Sequence, residues 1–152
     1  MAATTYSFLN CVASISGVGG VVNFGAGAAV AEEGISIEMM EDKDTMIWGA
    51  DGVLMHALHA AKPGRITVRL LKTSPTNAKL SSMYNSQSAS SANWGGNTIT
   101  VSDNVRGDTI TGTSMAFMRF PTIVYSKEGA MQEWSWGGIV DQVLGDGAPV
   151  SA

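Results

Sequence analysis

Apolar residues in this chain recur mostly at every second position, the spacing of strands with one buried face. The clearest case runs from Arg65 to Lys72, where Ile66, Val68 and Leu70 alternate with Arg65, Thr67 and Arg69. Gly34 to Met40 behaves alike: Ile35, Ile37 and Met39 share one side, Ser36 and Glu38 the other, which assigns Met39 to the core. Thr98 to Ser102 sets Ile99 and Val101 against hydroxyl residues. Thr5 to Ser16 is rich in β-formers and ends in Gly17-Val18-Gly19-Gly20, a turn followed by a short return strand over Val21 to Phe24. Gly25 to Val30 has no usable period and reads as a loop. After the solvated turn Glu41-Asp42-Lys43-Asp44, Thr45 to Trp48 is apolar again, and Met55 to Ala61 fits either a strand or a helix. Thr109 to Phe120 and Thr122 to Lys127 predict strands bent at Pro121. Lys127 to Ala130 reads as a hairpin turn. Met131 to Leu144 predicts one long strand, with Trp134 and Trp136 on one face and a bulge at Gly137-Gly138.

Only one segment carries a helix signal. Ser74 can cap, Pro75 suits the first helical position, and Leu80, Met83 and Tyr84 fall on one face, which predicts a helix over about 74–85. The polar run from Asn85 to Asn93 reads as a surface loop. No repeat or linker interrupts the chain. The expected architecture is a single domain over 1–152, mainly β, a sandwich or barrel with one flanking helix. It carries an extended loop at about 41–62 and a Gly/Pro-ended arm at 145–152.

Composition makes this picture less ordinary. Charged residues are 14% of the chain, against about 25% in typical soluble domains, and the sequence holds nine Met and four Trp. Mean hydropathy is +0.12. A surface so poor in charge favours association, so much of it is expected to be interface. The net charge of −4 argues against an avid nucleic-acid binder. The lone Cys11 cannot form an internal disulfide, no secretory signal opens the sequence, and no run of about 20 apolar residues spans a membrane.

Charge is also unevenly placed. Glu32, Glu33, Glu38, Glu41, Asp42, Asp44 and Asp51 face only Lys43 in one stretch, while Lys62, Arg65, Arg69, Lys72 and Lys79 follow with no acid among them. These segments either pair within one subunit or meet between subunits in a head-to-tail contact.

Apparent catalytic motifs are incomplete. Gly112-Thr113-Ser114-Met115-Ala116 is similar to the nucleophile motif of subtilisin-like proteases, and Asp51, His56 or His59, and Ser114 come in that order. Pro121 lies too far downstream, the histidines lack their usual context, and such triads need a much larger α/β domain. His56 and His59 form an incomplete zinc set. The glycines at 17, 19, 20, 25 and 27 match no phosphate-binding pattern and serve turns or close backbone approaches. No catalytic residue, cofactor or metal is expected.

Longer blocks carry a resemblance. Ala31 to Met39, Gly49-Ala50-Asp51-Gly52 and Met55 to His59 form one, and Gly64 to Ala78 forms another, with Glu133-Trp134 and Val143-Leu144-Gly145 beyond. Together they resemble the inner tail tube proteins of contractile-tailed bacteriophages. The resemblance implies a β-sandwich subunit, a fold shared with type VI secretion tubes. It also implies copies that form hexameric rings, stacked head to tail inside a contractile sheath as a conduit for genome ejection. Implied partners are further copies of the chain, the tail sheath protein, baseplate and tail-terminator proteins. Also implied are the tape-measure protein and DNA in the lumen, without sequence-specific binding. The implied location is the virion tail, assembled in the bacterial host cytoplasm. Composition and resemblance together assign inter-subunit contact to the segment Glu41–Lys62. Met40 and Trp48 are apolar anchors there, Asp42 and Asp44 polar partners, and Lys43, Met46, Met55 and Lys62 complete the set. Competing readings are a tube of a phage-derived or secretion-like injection particle and, in a different class, a small-ligand-binding β-barrel.

Overall fold

The computed structural model describes residues 6–7, 10–23 and 30–145, of which 30–33 in backbone only. In chain order these form β1 (Cys11–Gly17), β2 (Gly20–Asn23), β3 (Val30–Met39), β4 (Asp44–Trp48), β5 (Leu54–Leu58), β6 (Pro63–Leu70), α1 (Thr76–Ser88), β7 (Asn97–Asp103), β8 (Asp108–Phe117) and β9 (Gln132–Val143). Seven strands make one antiparallel sheet in the order β2-β1-β7-β8-β9-β6-β3, and β4 pairs with β5 alone. Ambiguity over Met55–Ala61 is resolved as a strand, because Leu54–Leu58 pairs residue for residue with β4.

One cluster of buried side chains collects from both halves of the sheet: Ala13, Ile15 and Val22 from one end, Ile66, Val68 and Leu70 from the other. Seven strands span about 30 Å, far more than one helix of about 10 Å covers. The sheet must therefore curl over on itself so that its halves pack face to face. Trp134 and Trp136 point together into the interior, as their spacing requires, at 1% and 0% exposure. Phe117 and Phe120 pack at angles on Trp134, and Tyr84 of the helix meets both phenylalanines edge-on, the favoured geometry for aromatic pairs.

The bulge expected at Gly137-Gly138 lies across from it. The extra residue is in β8: Thr113 and Ala116 pair with Ile139 and Gly137, and the β7 side shifts at the same place. Ser114 takes a positive φ of 52° there, uncommon for a residue with a side chain. Inward positions change parity across the step, from Ile110 and Gly112 to Met115 and Phe117. Gly138 is required opposite, since a Cβ at that position would lie 2.7 Å from Ser114 O and 2.8 Å from Thr113 O.

The helix begins where expected and ends later. Pro75 has helical dihedrals, and Ser74 Oγ accepts the Thr76 N–H at 3.3 Å. Asn77 donates to Leu71 O at 2.9 Å and accepts from Trp134 Nε1 at 3.0 Å, tying the first turn to β9. The polar run after Tyr84 is not a surface loop at its start. It continues the helix to Ser88 because Gln87, fully buried, has a partner: its amide and that of Asn97 exchange bonds of 2.6 and 2.8 Å. Gln87 Nε2 also donates to Val18 O at 2.8 Å. A buried side-chain amide is tolerated when its hydrogen bonds are made.

Three other expectations change. Thr122–Lys127 is not a strand, and the strand predicted to reach Phe120 stops at Phe117. Met39 is not core: it lies at the sheet's outer end and is 39% exposed. The loop at Gly25–Val30 and the arm at 145–152 fall almost wholly outside the described residues, as does the end of the return strand at Phe24.

Replacing Gly138 with Ala should cost about 1–3 kcal/mol, the usual range for forcing atoms into a packed interior. Chemical denaturation of the two proteins would measure it, and equal midpoints would contradict the close approach across the bulge.

Candidate subunit-contact surface

Between β3 and β6 the chain leaves the sheet and returns as a two-stranded arm. Backbone bonds carry the ladder across the junction: Met40 N–H donates to Pro63 O at 2.9 Å, and His59 N–H to Lys43 O at 2.9 Å. Beyond that point β4 and β5 pack chiefly on each other. A turn at Gly49–Gly52 closes the tip, where Gly49 N–H bonds Val53 O and Asp51 Oδ1 accepts the Val53 N–H at 3.2 Å. Gly52 adopts a φ of +87°, which the turn needs and a side chain would resist.

Alternation sorts the arm into two faces. Asp44, Met46 and Trp48 share one with Leu54, His56 and Leu58; Thr45 and Ile47 share the other with Met55 and Ala57. The sequence-predicted contacts Asp44, Met46 and Trp48 thus come together, whereas Met55 lies on the reverse. Every residue of β4 is exposed, Trp48 at 62%. Leu58 at 79%, with Ile47 and Val53, are exposed apolar residues that the sequence reading passed over. Their signal was present: a strand apolar at odd and even positions alike has no face for water. Met40 is half-exposed and Asp42 and Lys43 are solvated in the turn before β4. Lys62 differs, because its Nζ is already bound to Asp141 Oδ1 at 2.7 Å.

Diagonal side-chain pairs fix the arm's register. His56 Nδ1 donates to Asp44 Oδ2 at 2.7 Å on one face, and His59 Nε2 is hydrogen-bonded to Thr45 Oγ1 at 2.6 Å on the other. The two imidazoles therefore serve opposite faces and do not converge on one ion. The protease-like order does not assemble either. Asp51 holds the tip turn, the histidines brace the arm, and Ser114 forms the bulge of the sheet's central strand. Burial, then the neighbouring Asp103 carboxylate, raises the Cys11 thiol above its ordinary range and keeps it protonated.

Among the described residues the acidic and basic segments form no ion pair with each other. Lys62 and Arg69 bind Asp141 and Glu133 of β9 instead, the latter at 3.1 Å. Among the described residues Glu38, Glu41, Asp42 and Asp51 form no ion pair.

The profile of the bacteriophage PhiTE tail tube protein family matches residues 3–145. The chain belongs to that family. It is a tail tube subunit, part of the virion tail. No curated protein sequence matches it. Solved structures with the same fold include the sheath-tube complex of an extracellular contractile injection system, PVC, in its extended state. That match has a TM-score of 0.60 at 15% identity over 92% of each chain. The PVC sheath/tube terminator gives 0.60 at 15%, over 94% of this chain and 99% of the other. The anti-feeding prophage tube-terminating cap gives 0.54 at 16%, over 95% of both. In this tail tube subunit the arm lies outside the core, so Trp48→Ala should change unfolding free energy by no more than about 0.5 kcal/mol. Urea melts would test this. A larger loss would mean that Trp48 packs within its own subunit.

Proposed function

We propose that the subunit closes into hexameric rings that stack head to tail within a contractile sheath, forming a conduit for genome ejection and catalysing nothing. The observation that carries this reading is the pair of open sheet edges. Among the described residues the outer edges of β2 and β3 have no strand partner, and they bound opposite ends of one sheet. An open edge is a template for another chain, and joining unlike edges of successive copies closes a ring without leaving a free strand. The exposed apolar arm then supplies a heterologous contact to the next ring, with Met40, Met46 and Trp48 as anchors and Asp42 and Asp44 beside them.

Partners in this reading are further copies of the chain, the sheath protein, baseplate and terminator proteins. The tape-measure protein and DNA pass through a net-negative lumen that does not retain phosphate. Assembly takes place in the host cytoplasm. A particle without a genome is the second reading, favoured by the likeness to extracellular injection-system tubes. A ligand-binding barrel is disfavoured because Ile15, Ile66, Met115 and the two tryptophans fill the space between the sheet halves.

Negative-stain microscopy of the purified chain should reveal six-fold rings or tubes. A compact monomer at high concentration would overturn the proposal. Reversing charge at Asp42 and Asp44 together should impair polymerisation while the subunit stays folded, and tubes forming at the parent rate would remove those residues from the contact.

A further inference from the structure

Away from the core, β6 and β9 carry a polar pocket of about 360 Å³, lined on one side by the connection that follows β8. Arg65 and Arg119 line it, with Thr122, Glu133 and Ser135. Arg65 Nε is buried and has no hydrogen-bond partner. The pocket's one carboxylate, Glu133, is held by Arg69 at 3.1 Å. Glu38 stands opposite Arg65 across the β3–β6 ladder, yet forms no ion pair with it. Two guanidiniums thus share a concave site whose one carboxylate is paired with a third, Arg69. A buried, unsatisfied guanidinium donor carries a desolvation cost that an incoming carboxylate offsets.

The tip of the arm holds the complementary group. Asp51 is exposed, uses one oxygen to accept the Val53 N–H, and has no cation. Trp48 and Val53, both exposed, flank it, and Met118, Pro121 and Met131 flank the arginines. Within its own subunit Asp51 neither lines the pocket nor forms an ion pair with Arg65 or Arg119. We infer that the Arg65–Arg119 pocket is the receptor for the arm tip of a second copy. The Asp51 carboxylate sits between the two guanidiniums, and Trp48 and Val53 lie against the apolar rim. This rests on the stacked-ring reading and names the seat of the arm within it.

The test uses the whole chain. Arg119→Glu and Asp51→Arg, made singly, should each lower the sedimentable tube fraction about tenfold without changing the thermal midpoint, and the two together should recover most of it. Singles that assemble like the parent, or a double variant no better than either, overturn the inference. Glu38→Gln should assemble normally; if it reproduces the Arg119→Glu defect, Arg65 is served within its own subunit and the inference falls. A second measurement separates this contact from ring formation. On a Cys11→Ser background, Asp51→Cys with Arg119→Cys should give a ladder of cross-linked copies under mild oxidation, whereas neither single cysteine should. Rings without a ladder sink the contact alone. A ladder without rings sustains the contact and sinks the ring reading, and the absence of both sinks both.

Discussion

The β3–β6 pairing is the constraint on which the rest of this molecule depends. It ends the sheet and launches the arm with the same backbone ladder. Inside the sheet that ladder is covered by Ile35 and Ile37 packing toward the core, so the pairing has apolar support. Past Pro63 the support ends and the same two strands run on with nothing behind them. A lone two-stranded hairpin is at best marginally stable in water. Here its register is set by continuity with a buried sheet and by two diagonal histidine pairs. An apolar arm is thereby kept in a defined shape before anything covers it, which lowers the ordering cost of association.

Much of the fold was legible because burial imposes a period of two. Ile66, Val68 and Leu70 are fully buried as their alternation requires, and the paired tryptophans of β9 follow the same rule. The failures have local causes. Gln87 looked like a loop residue because a side-chain amide is expensive to bury alone, and its reciprocal partner Asn97 is ten residues away, on a strand. Met39 continues the alternation of Ile35 and Ile37, but periodicity does not say where the neighbouring strands stop. Thr122–Lys127 has strand-like composition and no partner to pair with, and strand propensity reports fit to a pleated surface more than an intrinsic preference.

The exposed arm was legible in outline only. Low charge and an acidic, methionine-rich segment pointed to the region between Glu41 and Lys62, and the exposed arm lies there. Which residues share a face was not legible, because that depends on the pairing of Met46 with His56 and Trp48 with Leu54. The intramolecular tie of Lys62 to Asp141 was equally hidden, since it spans 79 positions of sequence. Protease-like order in the sequence had no spatial counterpart, because a strand-bound serine and two arm-bound histidines are placed by unrelated demands.

The inserted residue at Ser114 has a wider consequence. Strand β8 stands at the centre of the sheet, and its two halves present opposite parities to the interior. The strand therefore accommodates a residue that regular pairing does not need: without Ser114 the inward series Ile110, Gly112, Met115, Phe117 would run unbroken and the ladder would close without a step. The insertion is absorbed as a local bend with stronger twist, not as a shift of register along the rest of the strand, so the middle of the sheet is where the ladder gives.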